Sequence, residues 1–203
     1  MTDSGERSRG PGSGRYNRAM VRIKGSVLKA RLALAEQLQP GGGLDRVLAA
    51  LPAADQATLR SLLATSWYPF SLGKRLDAAI VHALGGGKPE FFERIGEASA
   101  DANLTGVHRQ FLVEGDPQAF LARAPMIYAF YYDQGRREYS QDGPRQATLT
   151  TYDAEVFSAA DCATVVGWHR RALEMCGASN PRVAEEECRA RGGKVCRYRL
   201  SWD

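Results

Sequence analysis

Cys162, Glu185, Cys188 and Cys196 stand at intervals of 23, 3 and 8 residues and use three of the four cysteines in the chain. Thiolate sulfur and carboxylate oxygen both suit zinc, and four protein donors close a tetrahedral structural site. A catalytic zinc instead keeps an open position for water beside three protein ligands, so this set predicts a structural ion that holds the fold together. The competing reading makes the cysteines small buried hydrophobes and Glu185 a surface acid. On spacing alone both stand. Neighbouring Arg182, Arg189, Arg191 and Lys194 are available to balance the site's negative charge.

The elements that must position these residues follow from periodicity. Helical spacing runs from Val27 to Leu38 and stops at Pro40 and Gly41. Further helices are predicted near Leu44–Leu51, from Pro52 and Asp55 to near Ser66, from a Ser71 cap to Gly85, and over Phe91–Leu104. Another runs from Asp116 to about Tyr132 with an interruption at Pro125. Trp67 to Phe70 reads as an aromatic turn, because a residue before proline is biased away from helix. After Gly135 the pattern alternates. Arg137–Gln141 and Gln146–Tyr152 flank Asp142, Gly143 and Pro144, a hairpin signal. A helix over Asp161–Met175 follows, then strands Arg182–Cys188 and Val195–Trp202 around Gly192 and Gly193. In the last strand Tyr198, Leu200 and Trp202 alternate with Arg197, Arg199 and Ser201, giving one buried and one wet face. The expected class is α+β, with helices packed on a mostly antiparallel sheet of about four strands. Cys188 and Cys196 then face each other across the terminal hairpin, with Cys162 near the start of the preceding helix.

Composition narrows the function. The chain has 203 residues, 44% apolar and 25% charged, ordinary for a globular protein. No run approaches the roughly 18 to 20 apolar residues of a membrane span, and the first twenty residues lack an apolar signal stretch. A cytoplasmic location is expected, and reducing conditions there favour thiolates over disulfides. The formal charge of +4 lies entirely in residues 1 to 25, which carry six bases and two acids. Residues 1–20 are rich in Gly, Ser and Arg and read as a disordered basic tail, with a single domain over 21–203. Nucleic-acid binding is not expected, because the basic excess makes no stripe on a folded surface. Gly85, Gly86, Gly87 and Lys88 superficially suggest a phosphate loop, but they follow a helix and precede Pro89, so helix termination is the better reading.

Cys162 opening a helix, Gly167 and Trp168 five and six positions on, then Glu185, Cys188, a glycine turn and Cys196, together resemble the 4-vinyl reductase domain. In the phenol-sensing members of that superfamily the corresponding Cys, Glu, Cys and Cys bind zinc. Residues 21–203 also resemble a family of paralogues in myxobacteria, through Lys24-Gly25-Ser26-Val27-Leu28, Ser66-Trp67-Tyr68-Pro69 and the closing segment Cys196 to Trp202. The resemblance implies a fold shared with haem-linked nitric-oxide signalling domains and Golgi transport-particle subunits. It implies a small hydrophobic ligand, a homodimer and a partner protein that receives the signal, since the ATPase and DNA-binding modules of the phenol regulators are not present. Where those sensors carry pocket aromatics this chain has Ala172 and Val183, so an aliphatic cavity is expected rather than a phenol site. Trp67, Tyr128, Tyr131 and Trp168 are the candidate lining, and His169 is the histidine placed to face a cavity. Such an aromatic cluster also serves as plain core. The Tyr-x-Ser-x-Arg signature of haem sensors is absent, so haem is not expected. No nucleophile, base and orienter can be brought together, and no enzymatic activity is expected. The alternative is a protein-binding scaffold with its interior filled.

Overall fold

The structure, a computed structural model, describes residues 20–106, 108–154 and 158–203. Nearly all of the basic N-terminal segment, residues 1–19, therefore lies outside the described residues. The chain runs β1 (Arg22–Lys24), α1 (Gly25–Leu38), α2 (Gly43–Ala49), α3 (Ala53–Arg60), β2 (Trp67–Pro69), α4 (Phe70–Leu84) and α5 (Phe91–Leu104). After a one-turn 3-10 helix come α6 (Pro117–Leu121), α7 (Ala124–Tyr131), the hairpin β3 (Arg136–Gly143) and β4 (Gln146–Tyr152), α8 (Ala159–Met175), β5 (Arg182–Glu187) and β6 (Cys196–Ser201). The class is α+β as expected, with a four-stranded antiparallel sheet in the order β3-β4-β6-β5. No helix among the described residues is long and apolar enough to cross a membrane.

Alternation builds the sheet's inner face. Cys196, Tyr198 and Leu200 of β6 are buried, and they stand opposite Thr151, Leu149 and Ala147 of β4. Helices α5 and α8 pack on one another at backbone contact. A Cβ added to Gly167 would come within 1.9 Å of the Glu93 carbonyl oxygen, and one added to Gly96 within 2.0 Å of the Thr164 carbonyl oxygen. Arg170 bonds Glu93 and Glu97, and Arg171 bonds Asp101, across the rim of this crossing. Because the obstruction is backbone and cannot swing aside, Gly167→Ala should force the helices apart. Overpacking of this kind costs about 1–3 kcal/mol. At 2–4 °C per kcal/mol for a chain of this size, the melting temperature should fall by roughly 2–12 °C in a thermal scan, and an unchanged value would contradict the crossing.

Several elements depart from the sequence expectation. Trp67 to Pro69 is not a turn but a strand pairing antiparallel with β1. Helix α4 starts at Phe70 after Pro69, so Ser71 is not its cap. Helix α3 ends at Arg60 rather than near Ser66. The interruption expected at Pro125 falls just before it, between Leu121 and Ala124, and makes two helices: Pro125 has no N–H to continue one and instead sits in the first turn of α7, where it is tolerated. Asp116 caps α6 by accepting the Ala119 N–H at 2.9 Å. Gly85 to Gly87 terminate α4: Gly85 and Gly87 donate to the Val81 carbonyl, and Gly86 and Gly87 adopt φ of 62° and 74°, a left-handed conformation that glycine takes freely.

Candidate metal centre and the adjoining cavity

Each donor is aimed by a local feature. Ser158 and Asp161 form a reciprocal cap in which the Asp161 N–H donates to the Ser158 hydroxyl and the Asp161 carboxylate accepts the Ser158 N–H. This fixes the first turn of α8 and with it Cys162. Glu185 and Cys188 pose a parity problem, since residues three apart on a regular strand point to opposite faces. The chain solves it with a register shift. Glu185 stands opposite Tyr198 on the inner face, but Glu187 stands opposite the outward-facing Arg197. The extra residue between them restores Cys188 to the inner side, as a β-bulge does. Arg189–Arg191 then form a one-turn 3-10 helix, and Gly192 at φ 92° turns the chain back toward β6.

The result brings all four predicted ligands together. One donor atom from each of Cys162, Glu185, Cys188 and Cys196 lies within 4.8 Å of every other. Cys162 Sγ is 3.5 Å from Cys188 Sγ and 3.7 Å from Cys196 Sγ, too far for a disulfide of about 2.05 Å. Two thiolates bound at about 2.3 Å to one tetrahedral zinc stand about 3.8 Å apart, close to what is seen. The Glu185 carboxylate is divided: Oε2 accepts from Arg191, while Oε1 is buried without a hydrogen-bond partner. A buried carboxylate oxygen left in that state is expensive unless a cation meets it. The group can hold a metal ion. Among the cysteines, the bond from Cys162 pulls Cys196 down to about 6, aided by the Arg189 N–H, while burial pushes Cys188 up. Of the bases expected to balance the site, Arg191 does so through Glu185, and Arg189 supplies its backbone N–H. Arg182 pairs instead with Asp203.

Helix α8 carries Cys162 at one end and one wall of a partly open cavity along its middle. The cavity measures about 50 Å³ and is lined from α1, α5, α7, β3 and α8. That is room for about three to five waters, at about 10–15 Å³ each, and far below the several hundred Å³ of a typical ligand pocket. Of the candidate residues, Tyr128, Tyr131 and Trp168 line it, and so does His169. Trp67 does not. It sits on β2 under the Lys24 ammonium, 4.0 Å from the ring centroid, because the strand pairing that the sequence reading missed turns it away.

The lining is more polar than an aliphatic pocket, and this the sequence reading missed. Arg31 and Asp77 form a buried ion pair beside the cavity. Arg137 donates through Nε to Thr151 Oγ1 at 3.0 Å and through Nη1 to His169 Nε2 at 3.3 Å. His169 Nδ1 lies 2.8 Å from the Val165 carbonyl oxygen, which assigns the ring's proton to Nδ1. Burial, with Arg137 adding to it, pushes His169 down to about 3. Asp77 is pushed up to about 6 by burial against the pull of Arg31.

These two groups make opposed contributions to stability. Between pH 6.5 and 3 the unfolded chain protonates His169 and the folded chain does not, so stability falls as pH falls. Between about pH 4 and 6 the folded chain holds the Asp77 proton and the unfolded chain does not, so stability falls as pH rises. The two therefore oppose each other over about pH 4–6. His169→Gln should remove one of them: relative to the parent, the variant should gain about 1.4 kcal/mol for each pH unit below about 6.5, read by urea unfolding at pH 7, 6 and 5. A difference that stays constant with pH would show that His169 titrates normally.

The chain is similar in fold to several solved H-NOX proteins. The Fe(II) unliganded H-NOX protein from K. algicida aligns with a TM-score of 0.65 and 13% identity, over 89% of this chain and 97% of that one. A single-site variant of the T. tengcongensis H-NOX protein aligns at 0.67 and 12% identity over 89% and 98%. An oxygen-binding H-NOX domain related to soluble guanylate cyclases aligns at 0.67 and 12% identity over 89% and 95%. No curated protein sequence matches. A family model described as protein of unknown function DUF2378 matches residues 18–203, and with nearly its whole length matched the chain belongs to that family.

Proposed function

We propose that the chain is a zinc-stabilised sensory domain that binds a small molecule in its interior and signals through a partner protein, as a homodimer and without catalysis of its own. The observation that carries the reading is the convergence of three sulfurs and the unpartnered Glu185 oxygen. Zinc there would supply charge and four bonds, held by Cys162, Glu185, Cys188 and Cys196. It would clamp β5 and β6 to the start of α8, the helix whose middle forms a cavity wall. The fold of the H-NOX neighbours, one of them in an oxygen complex, supports ligand sensing as the general task. The kinship with 4-vinyl reductase domains rests on the spacing of Cys162, Gly167, Trp168, Glu185, Cys188 and Cys196, since neither the family nor the fold neighbours carry that description.

Work on the H-NOX family concerns haem, and the residues here do not fit that group. The cavity admits a few waters, and both nitrogens of its one histidine, His169, are engaged, whereas axial ligation needs a free one. His108 has a buried, unpartnered Nδ1, but it lies outside the cavity lining, against Phe111, Phe130 and Tyr131.

A relay to a partner has a structural basis in α7. Tyr128 and Tyr131 face the cavity, while Met126 and Phe130, one turn apart, are exposed. A ligand that shifts the tyrosines would shift the outer face too. The same exposed pair is what a scaffold without ligand would use, which keeps that second reading in play. Native mass spectrometry of protein purified without added metal tests the proposal. The expected species is a dimer with one zinc per chain and a retained small mass; metal-free monomer would reject it.

A further inference from the structure

Arg137 is buried at 8% exposure, and no carboxylate lies within ion-pairing distance of it among the described residues. Arg31, across the same cavity, shows the ordinary solution, a buried acid supplied by Asp77. An arginine cannot shed its proton at any ordinary pH, so a buried one needs a counter-ion or a full set of acceptors. Two of its five N–H donors are engaged, by Thr151 and His169. The faces of Tyr128 and Tyr198 lie 5.0 and 6.0 Å from its guanidinium carbon, and the remaining N–H donors are left for a ligand. Arg137 is one of the residues that line the cavity. Two further residues of that lining, Ser99 and Tyr131, have hydroxyl oxygens buried without hydrogen-bond partners.

We propose that the cavity receives the carboxylate of a short-chain organic acid, with Arg137 as its counter-ion and Ser99 and Tyr131 as hydroxyl donors. The inference rests on the sensory reading above and names its ligand class. A planar two-oxygen anion matches the remaining edge of a guanidinium, and the small volume suits a head of that size better than a tetrahedral phosphate with its four oxygens. The short aliphatic tail lies against Val27, Ile127 and Val165, which supply the apolar part of the lining. This joins the aliphatic cavity expected from sequence to a polar end that the sequence did not disclose. The neutral His169 adds no competing charge; it accepts from Arg137 and orients it.

Calorimetric titration of the full chain with acetate, acetamide, butyrate and inorganic phosphate, with tryptophan fluorescence as a second readout, tests the proposal. Acetate is expected to bind at least tenfold more tightly than acetamide, since the two differ in charge and hardly in shape. Arg137→Gln should lose at least tenfold in acetate affinity. If that variant does not fold, Tyr131→Phe and Ser99→Ala remove only a hydroxyl each, and each should weaken acetate several-fold with the fold retained. Equal binding of acetamide and acetate, or unaltered acetate affinity in these variants, would overturn the anion assignment and leave a neutral-ligand pocket standing. Preference for phosphate would overturn the carboxylate. Silence from all four probes in both readouts would remove the assignment, and with zinc and dimer established separately by mass, it would leave the domain as a zinc-stabilised scaffold.

Discussion

Cys196→Ser should lower the melting temperature by on the order of 10 °C or more, and a strong chelator added to the parent protein should do the same. Zinc binding to small structural modules is worth about 10–16 kcal/mol. This chain has a large apolar core besides the cluster, so only part of that energy should appear as a loss of cooperative stability. Even a third to a half, about 5 kcal/mol, corresponds to roughly 10–20 °C at the slope for chains of this length. The effect should be global, because the cluster ties three separate segments together: the start of α8, the bulged end of β5 and the start of β6. Cys176→Ser is the matched control. Cys176 is also fully buried but stands outside the cluster, so it should show only the modest loss of a buried thiol. Equal losses at Cys176 and Cys196 would indicate burial rather than a metal as the source of the effect.

Asp77→Ala should be nearly as damaging, for a different reason. Arg31 and Asp77 are 5% and 2% exposed, and they join α1 to α4 across the core. Removing the acid strands a guanidinium that cannot neutralise itself, and breaking a buried pair in this way costs about 3–5 kcal/mol. The expected fall is roughly 6–20 °C. Replacing both partners at once, as Arg31→Met with Asp77→Leu, removes the charge and its counter-charge together and should recover most of the loss. A double variant no better than Asp77→Ala would show that packing rather than charge sets the cost. Asp77 Oδ2 has no hydrogen-bond partner, so the pair does not satisfy every lone pair, which favours the recovery.

What could be read from the sequence was whatever a single element encodes by itself. The long helices α1, α4, α5 and α8 announced themselves through spacing and glycine stops, and the terminal hairpin through alternation about Gly192 and Gly193. The candidate metal ligands stood out because three of them are among only four cysteines in the chain and the spacing fits the hairpin. What stayed hidden depends on pairing across the chain. Strands β1 and β2 are three residues each, too short to show a period, and the proline in β2 argues against a strand until its position at the end of the element is seen. The bulge between Glu185 and Glu187 is a relation between two strands, yet without it Glu185 and Cys188 would point to opposite faces. The burial of Arg137 is likewise a tertiary fact. Its neighbour Arg136 is exposed and paired with Asp153, and nothing in two adjacent arginines says which one turns inward except strand alternation anchored to a register not yet known. Trp67 was drawn into the predicted pocket by its ring alone, and ring content does not report which face of the molecule a residue occupies.

X-ray absorption at the zinc edge, on protein purified without added metal, decides whether the four donors hold an ion. The expected result is one zinc per chain with three sulfurs at about 2.3 Å and one oxygen at about 2.0–2.2 Å. Loss of one sulfur in Cys188→Ser should follow if that variant retains its metal. A shell made only of nitrogen and oxygen, or a preparation with no metal at the zinc edge and an unaltered melting curve in chelator, would contradict it.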